Sequence, residues 1–364
     1  MSAVEATTRP GADAPLRLAV LPGDGVGPEV TAQAMRVLDA LVPSTRREAP
    51  IGGAAIDAVG DPLPEETIAL CRNSDAVFLG AVGGPRWDGA ARRPELGLLG
   101  LRQALGVYAN LRPARSLGLP TPLRREVAMG ADVLIVRDLA GGVYFGQPRG
   151  LGESEAFDTW RQTAAQTRAV ARVAFAAARA RRKRVTSVDK ANVLASSKLW
   201  RRVVTETAAE FPDVALEHRY VDSMAYDLLR DPLRFDVVLA DNLFGDILSD
   251  EAAALVGSLG VLPSASLGPG PALYEPVHGS APDIAGRGIA NPAGAILTVA
   301  MLLEHTLGRP DLASRVELAV RVALFEAPTP DLGGSASSTQ LTDAVLAALE
   351  RRAVADAEAA PVTK

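Results

Sequence analysis

The sequence predicts an α/β fold, and three observations carry the prediction. Short apolar runs bounded by glycine or proline alternate with longer stretches whose apolar residues recur every three or four positions. At 364 residues, 48% hydrophobic and 22% charged, the chain can bury a large core and suits one large or two medium lobes. The most apolar helical stretches come last, so they must pack back on strands laid down earlier. A chain that crosses between two lobes follows from that order.

LRLAVL (16–21), bounded by Pro22 and Gly23, reads as a buried strand. Pro28 then stands where a helix starts, a place proline tolerates, and Val30, Ala34, Val37, Leu38 and Leu41 follow at helical spacing. AVFLGA (76–81) and DVLIVR (132–137) read as buried strands. A helix from about Thr163 to Arg182 carries Val170, Val173, Ala174 and Ala177 on one face and ends in RARRKR (179–184). VTSVDK (185–190), VALEHRYVD (214–222) and FDVVLAD (235–241) are strand-like, with a short helix holding Met224 and Leu228 between the last two. ILSDEAAALVGSL (247–259), Ile296–Leu307, Leu312–Phe325 and Leu341–Val354 read as helices. The first 14 or so residues and the tail after about Asp356 read as frayed ends.

Several function classes are disfavoured at once. The formal net charge of −5 disfavours a generally basic nucleic-acid binder. RARRKR could be a local patch, but cations also suit a helix C-terminus, and the acidic whole favours that reading. A lone cysteine, Cys71, closes no intrachain disulfide and builds no thiolate metal cluster, so a reducing compartment is expected. MSAVEATTRPGADAP has no basic start followed by an apolar run, so no signal peptide is expected. Ala252–Tyr274 is broken by glycine and proline, and Gly294–Leu303 is too short to span a bilayer, so no membrane partner is expected.

Four groups of residues could carry chemistry. In LPGDGVGPEV (21–30) the glycines fall at 23, 25 and 27, which is not the G-x-G-x-x-G spacing of a dinucleotide fingerprint. Asp246 and Asp250 are four apart in FGDILSD and share a helix face, with Asp222 ending a separate strand. Oxygen-only ligands point to Mg²⁺ or Mn²⁺ and away from zinc, while a solvated acidic helix start is the competing reading. Arg102, Arg112 and Arg137 stand beside strand or loop junctions, and guanidinium forks bind carboxylates bidentately. HGSAPDIAGRGIANP (278–292) exposes backbone N–H groups and offers His278, Asp283 and Asn291 to a nucleotide. Only four of the 38 basic residues are lysines, and of these Lys190, at a strand end, looks placed for lysine chemistry.

With these groups in order, the chain resembles the β-decarboxylating dehydrogenase family of isopropylmalate, isocitrate, homoisocitrate and tartrate dehydrogenases. The resemblance runs from roughly Arg17 to Leu349. It rests on LPGDGVGPEV (21–30), GGPRWD (83–88), GLLGLR (97–102), YANLRP (108–113), VRDLAGGVYFG (136–146), SVDKANV (187–193), FGDILSDEAA (244–253) and EPVHGSAPDIAG (275–286). Two departures concern local shape only. The stretch before GGAAID (52–57) is short, and DTWRQTAAQ (158–166) lacks the usual tyrosine-and-serine arrangement.

The resemblance implies a two-lobed isopropylmalate/isocitrate dehydrogenase-like α/β fold that is not a Rossmann fold. Residues 1–107 and 257–364 would form the cofactor-side lobe, and 108–256 the middle lobe with the contact of a homodimer. The active cleft would lie between lobes and draw on both subunits. Arg102, Arg112 and Arg137 would grip the malate carboxylates. Asp246 and Asp250 would bind Mg²⁺ or Mn²⁺ together with Asp222 of the partner subunit. Lys190, also contributed by the partner subunit, would be the general base and Tyr144 the general acid. NAD would bind at His278, Gly279, Ser280, Ala281, Pro282, Asp283, Ile284 and Asn291, not at the first glycine loop. The implied activity is oxidative decarboxylation of (2R,3S)-3-isopropylmalate in cytoplasmic leucine biosynthesis. RPELGLLGLR (93–102) separates that substrate from isocitrate. Leu98 and Leu99 offer an apolar wall and Glu95 repels a third carboxylate, although ordinary packing would also explain the leucines. A non-catalytic relative would have lost a metal aspartate, Lys190 or Tyr144, and all are present.

Overall fold

The computed structural model describes residues 14–89 and 92–359, with side chains as far as Arg351. The terminal segments expected to fray lie outside the residues whose side chains are described. Two units divide the chain. A terminal unit takes the described residues up to Ala104, Ser258–Ala265 and those from Pro271 onward, and a middle unit takes Leu105–Gly257 and Ser266–Gly270.

The terminal unit begins with β1 (Leu16–Gly23), buried along most of its length as its apolar run requires. α1 (Gly27–Asp39) starts on Pro28 and buries Val30, Ala34, Val37 and Leu38, the face its spacing predicts. β2 (Ser44–Glu48), α2 (Gly53–Val59), α3 (Glu65–Arg72), the fully buried β3 (Ala76–Ala81) and α4 (Pro94–Leu105) follow. The middle unit then runs through β4 (Ala109–Arg115), α5 (Arg125–Ala128), β5 (Asp132–Asp138) and a small hairpin of β6 (Gly150–Leu151) and β7 (Ala156–Phe157). α6 (Ala164–Arg179) is opened by Thr163, whose hydroxyl accepts the Gln166 N–H at 3.3 Å. β8 (Arg184–Asp189), α7 (Ala195–Ala208), β9 (Ala215–Tyr220), α8 (Val221–Arg230), β10 (Val237–Ala240), α9 (Asn242–Glu251) and α10 (Ala253–Val256) complete the run. After β11 (Ala265–Leu267) and β12 (Ala272–Tyr274) come the late helices α11 (Ala293–His305), α12 (Pro310–Glu326) and α13 (Ser338–Ala359).

In the terminal unit the strand order is β2-β1-β3-β12, all parallel. α11 packs on α1 and on β12, as the late apolar helices had to. It is apolar on every side and buries eleven of its 13 residues, Ala293 through Leu303. Each fully buried leucine or isoleucine there contributes roughly 1.5–3 kcal/mol. In the middle unit the order is β4-β5-β10-β8-β9, with β4 antiparallel to β5 and the other four parallel.

The structure differs from the sequence reading at several elements. β2, STRRE, is an edge strand with little apolar content. β11 and β12 have three residues each among glycines and prolines. β4 hides because two of its buried residues, Asn110 and Arg112, are polar. Asp222 stands in the first turn of α8, not at a strand end, because the chain turns into a helix directly after Tyr220. α9 starts five residues before the expected Ile247, since Asp241 caps it by accepting the Phe244 N–H at 3.0 Å. Gly257, left-handed at φ 106°, ends α10.

RARRKR is tied into ion pairs. Arg179 reaches Asp213, and Arg181 bridges Asp132 at 2.9 Å and the fully buried Asp236 at 2.8 Å. Lys183 lies 3.6 Å from Asp213. Among the described residues, no helix is long and apolar enough to cross a membrane. Cys71 is a buried free thiol, pushed up to about 12 by burial.

Candidate active site

In the middle unit, chemistry-bearing side chains gather at the carboxyl ends of the parallel strands, the usual place for ligands in such sheets. Arg137, next to last in β5, is buried. Its Nε donates to the carbonyl of Asn242 at 3.0 Å and to Asn242 Oδ1 at 3.2 Å, and its Nη2 donates to the same Oδ1 at 2.9 Å. Its Nη1 pairs with Asp246 Oδ1. A Cβ at position 245 would lie 2.7 Å from Arg137 Cγ, so only glycine lets α9 approach β5 this closely. Arg112 is held in a similar way. Nε donates to Asn110 Oδ1 at 2.7 Å and Nη1 to Ser249 Oγ at 2.7 Å, with Asp250 at 3.3 Å and Asp246 at 3.5 Å.

Tyr144 donates its hydroxyl to Asp246 Oδ2 at 2.8 Å. Burial, together with that anion, pushes the phenol up to about 12, so it stays protonated at neutral pH. Asp250 is raised by burial and by the charge of Asp246, with Arg112 opposing. Two carboxylates four apart on α9, supplying only oxygen, fit the donor chemistry of Mg²⁺ or Mn²⁺. A cation there would offset the repulsion that raises Asp250. Among the described residues, no third acidic, histidine or cysteine ligand joins them in a metal-binding group.

Lys190 follows β8, and its Nζ lies 2.5 Å from Asp222 Oδ1. The Asp222 side chain is 64% exposed, and the lysine beside it holds its carboxyl below the usual range. The structure therefore places these two candidates with each other, the lysine half-buried and the aspartate exposed.

The terminal unit holds the remaining candidates. Arg102 lies on α4, a helix, not at a strand junction. It is buried and ion-paired with the buried Glu275, and its Nε has no partner among the described residues. A buried donor of this kind suits an anionic ligand. On the same helix Glu95 is exposed, while Leu98 and Leu99 are half-buried.

In the cofactor candidate loop, His278 Nδ1 donates to the Gly279 carbonyl at 2.9 Å. Burial lowers the ring's pKa, which leaves Nε2 as a buried acceptor without a partner among the described residues. The amino group of an adenine would satisfy it, so the loop fits a nucleotide. Gly279 is exposed, Ser280 is buried and Ala281 is left-handed at φ 39°, leading into the turn Pro282–Ile284. Asp283 is exposed and has no hydrogen-bond or ion-pair partner among the described residues. Asn291 is engaged at both ends, donating to Asp331 at 3.0 Å and accepting the Ala293 N–H at 2.9 Å.

Sequence reasoning missed Asn110, Asn242, Ser249 and Glu275, which hold the candidate arginines. Period gives part of the signal. Asn110 is two residues before Arg112 on a strand, hence on the same face. Asn242, Asp246, Ser249 and Asp250 form one stripe of α9. Glu275 is distant in sequence and carries no such mark.

Residues 17–345 match the family model described as isocitrate/isopropylmalate dehydrogenase. The 3-isopropylmalate dehydrogenase of Deinococcus radiodurans is 54% identical, covering 92% of this chain and 97% of the relative. That of Aquifex aeolicus is 49% identical with the same two coverages. Among solved structures, isocitrate dehydrogenase from Methylococcus capsulatus superposes with a TM-score of 0.85 at 38% identity, covering 92% of this chain and 99% of that one. The β-decarboxylating dehydrogenase of Thermococcus kodakarensis gives 0.80 at 39% identity, with coverages of 96% and 100%. The family model spans most of the chain and the curated relatives cover it at about half identity, and the chain belongs to the isocitrate/isopropylmalate dehydrogenase family.

Proposed function

We propose that this enzyme oxidises (2R,3S)-3-isopropylmalate with NAD⁺ and releases CO₂, forming 4-methyl-2-oxopentanoate for leucine biosynthesis. The observation that carries this is the middle-unit cluster. There, two buried arginines and a protonated tyrosine converge on a pair of oxygen-only carboxylates. The curated relatives at about half identity, named for this substrate, support the choice within the family.

In this reading Arg102, Arg112 and Arg137 hold the substrate carboxylates, while Asp246 and Asp250 supply oxygen ligands to Mg²⁺ or Mn²⁺. When bound, the cation supplies Lewis-acid polarisation of the C2 oxygen and NAD⁺ supplies the hydride acceptor. Lys190 takes the C2 hydroxyl proton as the general base. After the 3-carboxylate leaves as CO₂, Tyr144 gives its hydroxyl proton to C3. Leu98 and Leu99 face the isopropyl group and Glu95 disfavours a third carboxylate. His278–Ile284 and Asn291 hold the adenosine end of NAD.

The chain acts as a homodimer, with Lys190 and Asp222 serving the other subunit's site. The exposure of Asp222, and its pairing with the half-buried Lys190, support this. The cytoplasm, a reducing compartment, suits the free thiol of Cys71.

The test is NADH formation with 3-isopropylmalate, isocitrate and tartrate side by side, with and without Mg²⁺. Metal-dependent turnover of isopropylmalate alone is expected. Preferred turnover of isocitrate, or full activity in EDTA, refutes the reading.

A further inference from the structure

LPGDGVGPEV plays no part in the chemistry above, yet its contacts are specific. Gly25 is left-handed at φ 57°, and a Cβ there would lie 2.0 Å from the Ser280 carbonyl oxygen. The next residue, Val26, donates its N–H to that same oxygen at 2.8 Å. In the first turn of α1, Glu29 accepts the Gly286 N–H on Oε1 at 3.2 Å and the Gly288 N–H on Oε2 at 3.0 Å. Both glycines are left-handed, at φ 74° and 65°, with open space where a Cβ would stand. They are needed for backbone conformation, not for room. From the other side Ser338 donates its N–H to Gly288 O at 2.9 Å and its hydroxyl to Ala290 O at 2.5 Å. Glu29 pairs with no cation among the described residues, so both carboxylate oxygens serve backbone amides.

We propose that Glu29 is a positioning residue for the cofactor. Its carboxylate clamps the segment at Gly286 and Gly288, so that the loop from His278 to Asn291 is ordered before NAD⁺ arrives. This rests on the reading that this loop holds the adenosine. A loop lacking the clamp must be ordered by the ligand itself, which lowers affinity without touching the reacting atoms. The look-alike glycine loop thus acts on the dinucleotide at second hand, by holding the segment that binds it.

The test combines steady-state kinetics with hydrogen exchange of the full-length enzyme. Glu29→Ala is expected to raise KM for NAD⁺ by about tenfold, the loss of two charge-assisted bonds net of water. kcat and KM for isopropylmalate should stay within about twofold. Exchange at Gly286 and Gly288 should quicken in the free variant, and saturating NAD⁺ should narrow the difference. Glu29→Gln keeps one acceptor oxygen and the side-chain volume. It should show a smaller KM rise, and it serves if Glu29→Ala does not fold. Unchanged NAD⁺ affinity, or an equal loss in kcat and in both KM values, overturns the role. If NAD⁺ slows exchange across 278–291 in the wild type while Glu29→Ala binds it normally, only the role of Glu29 falls. If NAD⁺ leaves that loop's exchange unchanged in the wild type, the cofactor reading falls and this proposal with it.

Discussion

At the residue scale, the proposed NAD⁺ site makes Asp283 a testable determinant of cofactor choice. It is exposed, unpaired among the described residues and follows Pro282 at a left-handed bend. Its carboxylate is free to accept bonds from ribose hydroxyls, and it would repel a 2′-phosphate. NAD⁺ should therefore be used far better than NADP⁺. Asp283→Lys/Ile284→Tyr, which supplies a cation and a stacking phenol, should move the ratio of kcat/KM toward NADP⁺. A wild type that uses both cofactors equally refutes the assignment. The candidate loop around Asp283 could be picked out because its motif is local. So could Arg112, Arg137, Tyr144, Asp246 and Asp250, each in a short motif whose members the fold brings together. The groups that aim the arginines could not. Asn110 and Asn242 act through side-chain carbonyls on Nε, and asparagine in a sequence reads first as turn or surface. Glu275 meets Arg102 across 173 positions of chain.

At the scale of elements, α9 carries both metal candidates and is capped by Asp241. Burial raises the Asp241 carboxyl from 3.8 to about 7, with Asp138 nearby adding to the rise. A folded-state pKa above the unfolded one means stability that is whole below about pH 4 and lost as pH climbs through 7. At about 1.4 kcal/mol per pH unit, the upper limit of that loss is about 4 kcal/mol. Asp241→Asn keeps an oxygen for the Phe244 N–H and removes the charge. Its Tm should gain on the wild type from pH 4 to 7 and hold a constant lead above that. A Tm difference independent of pH means that the Asp241 carboxyl ionises in the folded protein much as it does in the unfolded chain. On α4, Leu98→Ser/Leu99→Ser should reduce kcat/KM for isopropylmalate by about 1–3 kcal/mol per lost apolar contact. Malates with small C3 groups should lose less, and equal losses mean the leucines only pack. Long apolar helices such as α11 and α12 could be read from composition and period, whereas β2, β11 and β12 are strands by virtue of their neighbours.

At the scale of the whole molecule, the Lys190–Asp222 pair makes subunit sharing testable. Lys190→Ala and Asp246→Asn enzymes should each be nearly inactive. After subunit exchange a mixed dimer has one site free of both lesions, so activity should reappear, at most to about half per mixed dimer. No recovery after proven exchange means each site is built from one chain. The terminal unit's connectivity has a further consequence, for synthesis. β3 pairs with β12, nearly 200 positions later, and α1 packs on α11, which lies farther along the chain still. When the ribosome has released the middle unit, the edge of Ala76–Ala81 that β12 pairs still lacks its neighbour. That unpaired edge stays open to aggregation until the last quarter of the protein emerges. A chain stopped before Ala272 is thus an aggregation hazard.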